Sequence, residues 1–157
     1  MLRMSKLTDY GTIVLAHLAG ASEGLHTAQD VAKRTSLAVP TVRKLLKSLV
    51  RAGLVRSERG ASGGYALARP AEAITAAQVL DALEGPVAIT ECSSAGSRCG
   101  IEHTCALGGQ WQRINLAIRR ALEDISLAEL AGPGPLTPPR MRLAGIPIQI
   151  VEDQDER

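Results

Sequence analysis

The stretch PTVRKLLKSLVRAG, residues 40–53, can satisfy its side chains in essentially one way. Wound as a helix, it places Val42, Leu45, Leu46, Leu49 and Val50 on one face. Arg43, Lys44, Lys47 and Arg51 then fall on the other face. The first face needs a core to pack against. The second needs water or an anion. Pro40 sits in the first turn, where its missing N–H costs nothing, and Gly53 supplies a stop.

The flanking segments fit around such a helix. Residues 7–20 carry Leu7, Tyr10, Val14 and Leu18 at helical spacing, and Gly24 breaks the pattern. Thr27 then reads as an N-cap with Asp30 three positions on, opening a short helix through Arg34. Ser36-Leu37-Ala38 makes a tight connection to the basic helix. After it, 54–59 and 65–68 read as two strands around the glycine-rich tip GASGG, closed by Pro70. A compact helix over 75–84 stops at Gly85-Pro86. Trp111, Ile114, Ala117, Ile118, Ala121, Leu122 and Ile125 predict one long amphipathic helix across 109–130. Beyond Gly132-Pro133-Gly134-Pro135 periodicity is lost, and a charged end, EDQDER, is expected to be mobile.

Helix, short helix, tight turn, basic helix and hairpin occur in the order of a winged helix-turn-helix, in a mainly α fold. A helix enters the major groove only if one face packs the domain while the other carries donors. Thr41, Arg43, Lys44 and Lys47 are candidates for base edges or phosphates, and Arg51, further along, for phosphate. Arg56 and Arg59 lie beside a tip with almost no side chains, beginning at Gly60. An arginine there can enter a narrow minor groove. The alternative is a solvated basic face on an ordinary helical domain. GASGGY lacks the Lys-Ser/Thr ending of a P-loop.

Charge supports the first reading. Residues 1–70 carry 11 Lys and Arg against 4 Asp and Glu, while 71–157 carry 7 against 12. A basic first half and an acidic second half suggest a nucleic-acid-facing module joined to something else. The chain of 157 residues has no Phe, and its aromatics are Trp111, Tyr10 and Tyr65, so the core is aliphatic and a base-stacking platform is disfavoured. No apolar run reaches the roughly 18 residues of a membrane span. Asp9 and His17 interrupt the one N-terminal run that resembles a signal peptide.

All three cysteines fall in ECSSAGSRCGIEHTC, residues 91–105. An odd number fits a reducing cytoplasm better than a disulfide framework. Cys92, Cys99 and Cys105 lack the CxxC pair common in zinc sites. Wide spacing on a polar loop suits an iron–sulfur cluster, with zinc or redox-active thiols as alternatives. A fourth ligand would have to come from Glu102 or His103 in the loop, from Asp9 brought near in space, or from a small molecule. A thiol enzyme would need a CxxC or a nucleophile with a nearby base. His103 is the loop's one base, and no enzymatic activity is expected.

LTDYG at 7–11, the segment around Pro40-Thr41-Val42, RGASGGYAL at 59–67 and the three-cysteine loop together resemble the IscR/NsrR-type family of winged-helix iron–sulfur transcriptional regulators. KLTDYGTIVLAHLA, the 83–86 turn and CGIEHTC followed by WQRIN are most similar to the branch that regulates the Suf iron–sulfur assembly operon. The resemblance covers about residues 1–131. It implies a homodimer paired through the C-terminal helix and reading a palindromic operator, with a repressor's control over iron–sulfur assembly genes. It implies Cys92, Cys99 and Cys105 as cluster ligands. Gly108 stands where one branch has its histidine ligand, and Asp9 matches the aspartate that another branch supplies from the partner subunit. Arg59-Gly60 matches the family's minor-groove position. Thr41, Arg43 and Lys44 differ from the neutral or acidic readers of the IscR branch, which implies a different operator. The organisation expected is 1–86 as the DNA-binding domain, 87–108 as the cysteine loop, 109–131 as the dimerisation helix and 132–157 as a flexible tail.

Overall fold

The computed structural model describes residues 4–21, 24–60, 62–93, 99–100, 105–132, 142–143 and 146–147, with backbone alone at Cys92 and in the last two pairs. Helix α1 (Lys6–Gly20) begins where the Ser5 hydroxyl accepts from the Leu7 and Thr8 amides. Helix α2 (Ala28–Thr35) begins at the expected Thr27, whose hydroxyl accepts from the Asp30 amide while the Asp30 carboxylate accepts from the Thr27 amide. That reciprocal pair satisfies two donors the helix would otherwise leave open. Ser36, in the left-handed region at φ 56°, turns the chain into α3 (Val39–Arg51).

Strands β1 (Val55–Glu58) and β2 (Gly64–Leu67) form the antiparallel wing, with Val55 opposite Leu67 and Glu58 opposite Gly64. The wing is fastened to the helices by a backbone bridge: His26 and Tyr65 exchange two N–H···O bonds, each 2.9 Å. Gly64 makes the approach possible, since a Cβ there would lie 2.9 Å from the His26 carbonyl oxygen.

Helix α4 (Ala76–Leu83) starts with a Thr75–Gln78 capping box. Its end is tied to the start of α1 by Glu84, whose carboxylate accepts from the Thr8 hydroxyl and, at 3.1 Å, from the Ser5 amide. Hydrogen bonds from Ser5, then Thr8, hold the Glu84 pKa below its ordinary value. The core is aliphatic, as the composition requires: Val14 and Leu15 of α1, Val31 of α2, Val42, Leu45, Leu46 and Leu49 of α3, and Ile74 are all buried.

The helix expected to run unbroken over 109–131 is two helices. Helix α5 (Gly108–Glu123) ends, and α6 (Leu127–Ala131) restarts behind an N-cap at Ser126. Ser126 and Glu129 form a reciprocal capping box. The break is also held from outside, because the Ala76 amide donates to the Ile125 carbonyl at 2.8 Å and the Leu127 amide to the Ile74 carbonyl at 2.7 Å. These bonds direct Leu127, fully buried, into the same core as α1 and α3. The core is therefore not confined to residues 1–86. The tail expected to be mobile lies mostly outside the described residues; within it, Arg142–Leu143 and Ile146–Pro147 pair as short antiparallel strands β3 and β4.

Candidate nucleic-acid interface and cysteine loop

Helix α3 divides as its sequence demands. Val42, Leu45, Leu46 and Leu49 are buried, Arg43, Lys44, Lys47 and Arg51 are exposed, and Thr41 is half-buried. The N-cap Ala38 offers no side-chain hydrogen bond, and no acid lies in the first turn. The first amides of α3 are thus left for an outside acceptor, and the helix dipole favours an anionic one such as phosphate. No acidic side chain of α3 offsets its four cations.

The wing presents Arg56 and Arg59, both exposed. Arg56 is paired along β1 with Glu58, at side-chain exposures of 54% and 53%. An ion pair that exposed contributes little, so exchanging Glu58 for a phosphate costs little. Arg59 makes no ion pair among the described residues. Gly60 follows at φ 116°, a conformation open to glycine, so the tip turns directly after Arg59.

The cysteine loop is rooted at both ends near α5. On one side the Ile89 amide donates to the side chain of Asn115, a buried polar residue of α5, at 3.4 Å. The helical turn Glu91–Ser93, which contains Cys92, packs on α5. On the other side Cys105 precedes α5 directly, with the Gly108 amide donating to its carbonyl. Cys99 and Cys105 are half-buried. Asp9 is exposed in the first turn of α1, and its carboxylate has no hydrogen bond or ion pair among the described residues. No three His, Cys, Asp or Glu form a metal-holding group among the described residues. Glu102, His103 and the Cys92 side chain lie outside them.

Helix α5 half-buries Ala117, Ile118, Ala121 and Leu122 but leaves its other large apolar residues uncovered. Trp111, Ile114 and Leu116 are exposed at 39%, 41% and 52%, and the buried residue it contributes is the polar Asn115. Arg119 ties this helix to α4 by donating to both carboxylate oxygens of Asp81, at 2.8 and 3.2 Å, and to Glu123. The sequence reading missed this tie, the Asn115 anchor and the Glu84 clasp. All three join residues 26 to 79 positions apart, for which one sequence offers no local signal. The α6 start did have a signal: Ser126 followed three residues later by Glu129 is a capping-box pattern.

Comparison with known proteins agrees with this architecture. Residues 4–133 match the family Rrf2, described as "Iron-dependent Transcriptional regulator". Protein rrf2 of Nitratidesulfovibrio vulgaris is 33% identical over 138 residues, covering 87% of this chain and 92% of that protein. Among solved structures, CymR of B. subtilis, the global cysteine regulator of that organism, superposes with a TM-score of 0.62 at 32% identity, covering 83% of this chain and 97% of that one. IscR of T. potens superposes at 0.60 with 29% identity, covering 82% and 85%. These relatives are regulators, not enzymes, and no helix among the described residues is long and apolar enough to cross a membrane. With its basic α3 and its wing, the chain belongs to the Rrf2 family of winged-helix, DNA-binding transcriptional regulators.

Proposed function

We propose that this chain is a homodimeric repressor that reads a palindromic operator and senses an iron–sulfur cluster held by its cysteine loop. The observation that carries the proposal is the confinement of all three thiols to one loop rooted on α5, the helix that also leaves Trp111 and Ile114 uncovered on one face. An apolar helix face of that kind calls for a partner, and a second copy of α5 is the partner it suits. Cys92, Cys99 and Cys105 are three soft ligands of the type that iron–sulfur clusters take. Asp9, exposed and without a partner of its own, supplies the fourth from the partner subunit. A cluster held by these thiolates and the partner's Asp9 would tie the loop of one subunit to α1 of the other; the chain's own residues do the rest. Glu84 fixes the start of α1 to α4, and Arg119 fixes α5 to α4, so a pull on the loop reaches the elements that pack α3. The genes we assign to it are those of iron–sulfur assembly.

On DNA, Arg43 and Lys44 of α3 take the major groove together with Thr41, while Lys47, Arg51 and Arg56 meet phosphate. Arg59, released by the turn at Gly60, enters the minor groove. Lys47→Ala is expected to weaken binding to all duplexes alike and to lower the slope of log K against log salt by about 0.9, one phosphate's worth of counterions. Filter binding or fluorescence anisotropy across a salt series, on a duplex selected by the protein from a random pool, reads this. An unchanged slope with unchanged affinity would remove Lys47 from the interface.

A second reading, a loop of redox-active thiols or structural zinc, is favoured by the likeness to CymR, a cysteine regulator. It keeps the DNA-binding half intact and differs in what the loop holds.

A further inference from the structure

Among the described residues, two side-chain nitrogens are buried with no hydrogen-bond partner: Nε2 of His17 and Nε2 of His26. They belong to rings whose centroids lie 5.7 Å apart, edge to face, joining α1 to the segment that precedes α2. A buried polar atom without a partner is costly, and such atoms call for an explanation. Neither histidine has a part in the DNA or cysteine chemistry described above.

Their surroundings narrow what this pair can bind. His17, His26, Asp30 and Arg34 line one cavity of about 470 Å³. His26 also lines a second cavity of about 630 Å³, together with Arg56, Arg69 and Glu72. No third metal-binding side chain joins the pair in a metal-holding group among the described residues. Asp30, the one carboxylate on the first cavity, is already engaged by the Thr27 amide and hydroxyl in the α2 cap. The ligand left for the His17 imidazole to take up is a proton.

The position of His26 makes that uptake consequential. Its amide and carbonyl are the two groups that hold Tyr65 of the wing, and it immediately precedes the Thr27 cap that starts α2. We infer that His17, packed edge to face on His26, is a proton-sensitive latch on the wing: neutral, it lets His26 hold the hairpin against the helices; protonated, it releases it. A positive charge placed there would be poorly hydrated and would face Arg34. Burial, then His26, then Arg34 hold the His17 pKa below its ordinary value. The sign follows from that direction. The opened form binds a proton more readily than the closed form, so acidification from about pH 6.5 downward favours opening. Above that range the latch is fully closed.

The consequence for regulation rests on the DNA-reading role proposed for the wing, and the test separates the two. Amide hydrogen exchange of Tyr65 and His26 in the full chain, corrected for intrinsic rates, reads the latch without DNA. Protection should fall between about pH 7.5 and about pH 5.5, by up to roughly tenfold, the limit that one histidine can supply over that range, and His17→Gln should abolish that fall. Equal protection at both pH values in the wild-type chain would overturn the latch, as would an unchanged fall in His17→Gln. Operator affinity is then measured over the same range on a duplex selected from a random pool at the higher pH. Added positive charge alone would tighten DNA binding at low pH. The latch predicts weakening with the same midpoint, lost in His17→Gln. If the amides titrate and affinity does not weaken, the latch does not control DNA binding. If no duplex binds at any pH while the amides still titrate, the DNA reading fails and the latch stands.

Discussion

Leu127→Ala should destabilise the fold by about 2–5 kcal/mol, the usual cost of truncating a fully buried leucine. Against a total of about 5–15 kcal/mol for a domain of this kind, that is a large fraction. The reason is where Leu127 sits. It belongs to a five-residue helix that could not persist alone, yet its side chain is fully buried in the core that also holds Leu15, Leu45 and Leu46. Removing it takes apolar contact from α1 and weakens the backbone clasp between 74–76 and 125–127. Urea unfolding followed by circular dichroism measures the loss. Leu130→Ala is the control: Leu130, in the same helix, is 43% exposed and should cost little. A loss below about 1 kcal/mol for Leu127→Ala would mean that α6 is not docked as described.

The second large effect is on sensing. Coupling free energies between two sites are typically 1–3 kcal/mol, so cluster-loaded and cluster-stripped wild-type protein should differ in operator affinity by about 5–150-fold. Cys99→Ala should bind with the affinity of the stripped form under both conditions and retain little iron or sulfide. The fold should be largely unaffected, since Cys99 is half-buried on a loop, outside the aliphatic core. Anaerobic anisotropy titrations with both proteins decide it. If Cys99→Ala keeps the loaded protein's iron, sulfide and affinity, that thiol is not a ligand.

The parts of the fold legible in the sequence were those specified by local chemistry. The two faces of α3 were visible as alternating apolar and basic residues, and Thr27 with Asp30 announced the start of α2. The glycines between Arg59 and Tyr65 marked the wing's tip. What escaped was set by partners distant in the chain. The 109–130 stripe looked continuous because Ile125 continues its period, and the bonds that end α5 come from Ile74 and Ala76, some fifty residues earlier. Asn115 could have been read as a polar residue at a helix surface; the structure buries it to hold the cysteine loop at Ile89. His17 looked like an interruption in an apolar run. Its meaning depends on His26, whose ring the fold brings within 5.7 Å of it.

In the candidate site the basic residues were readable because charge on one helix face is a local property. The ligand set was less so. Three thiols on one loop are visible in any reading of the chain, but the role of Asp9 depends on a second subunit, and a carboxylate in a helix's first turn has a sufficient local reason to be there.

The most direct measurement is the metal content of protein purified without oxygen, taken with its visible spectrum. The account predicts a coloured protein whose charge-transfer absorption accompanies iron and acid-labile sulfide in matching amounts, all lost together in Cys99→Ala. A colourless protein holding one zinc per chain, or thiols and no metal, would contradict it.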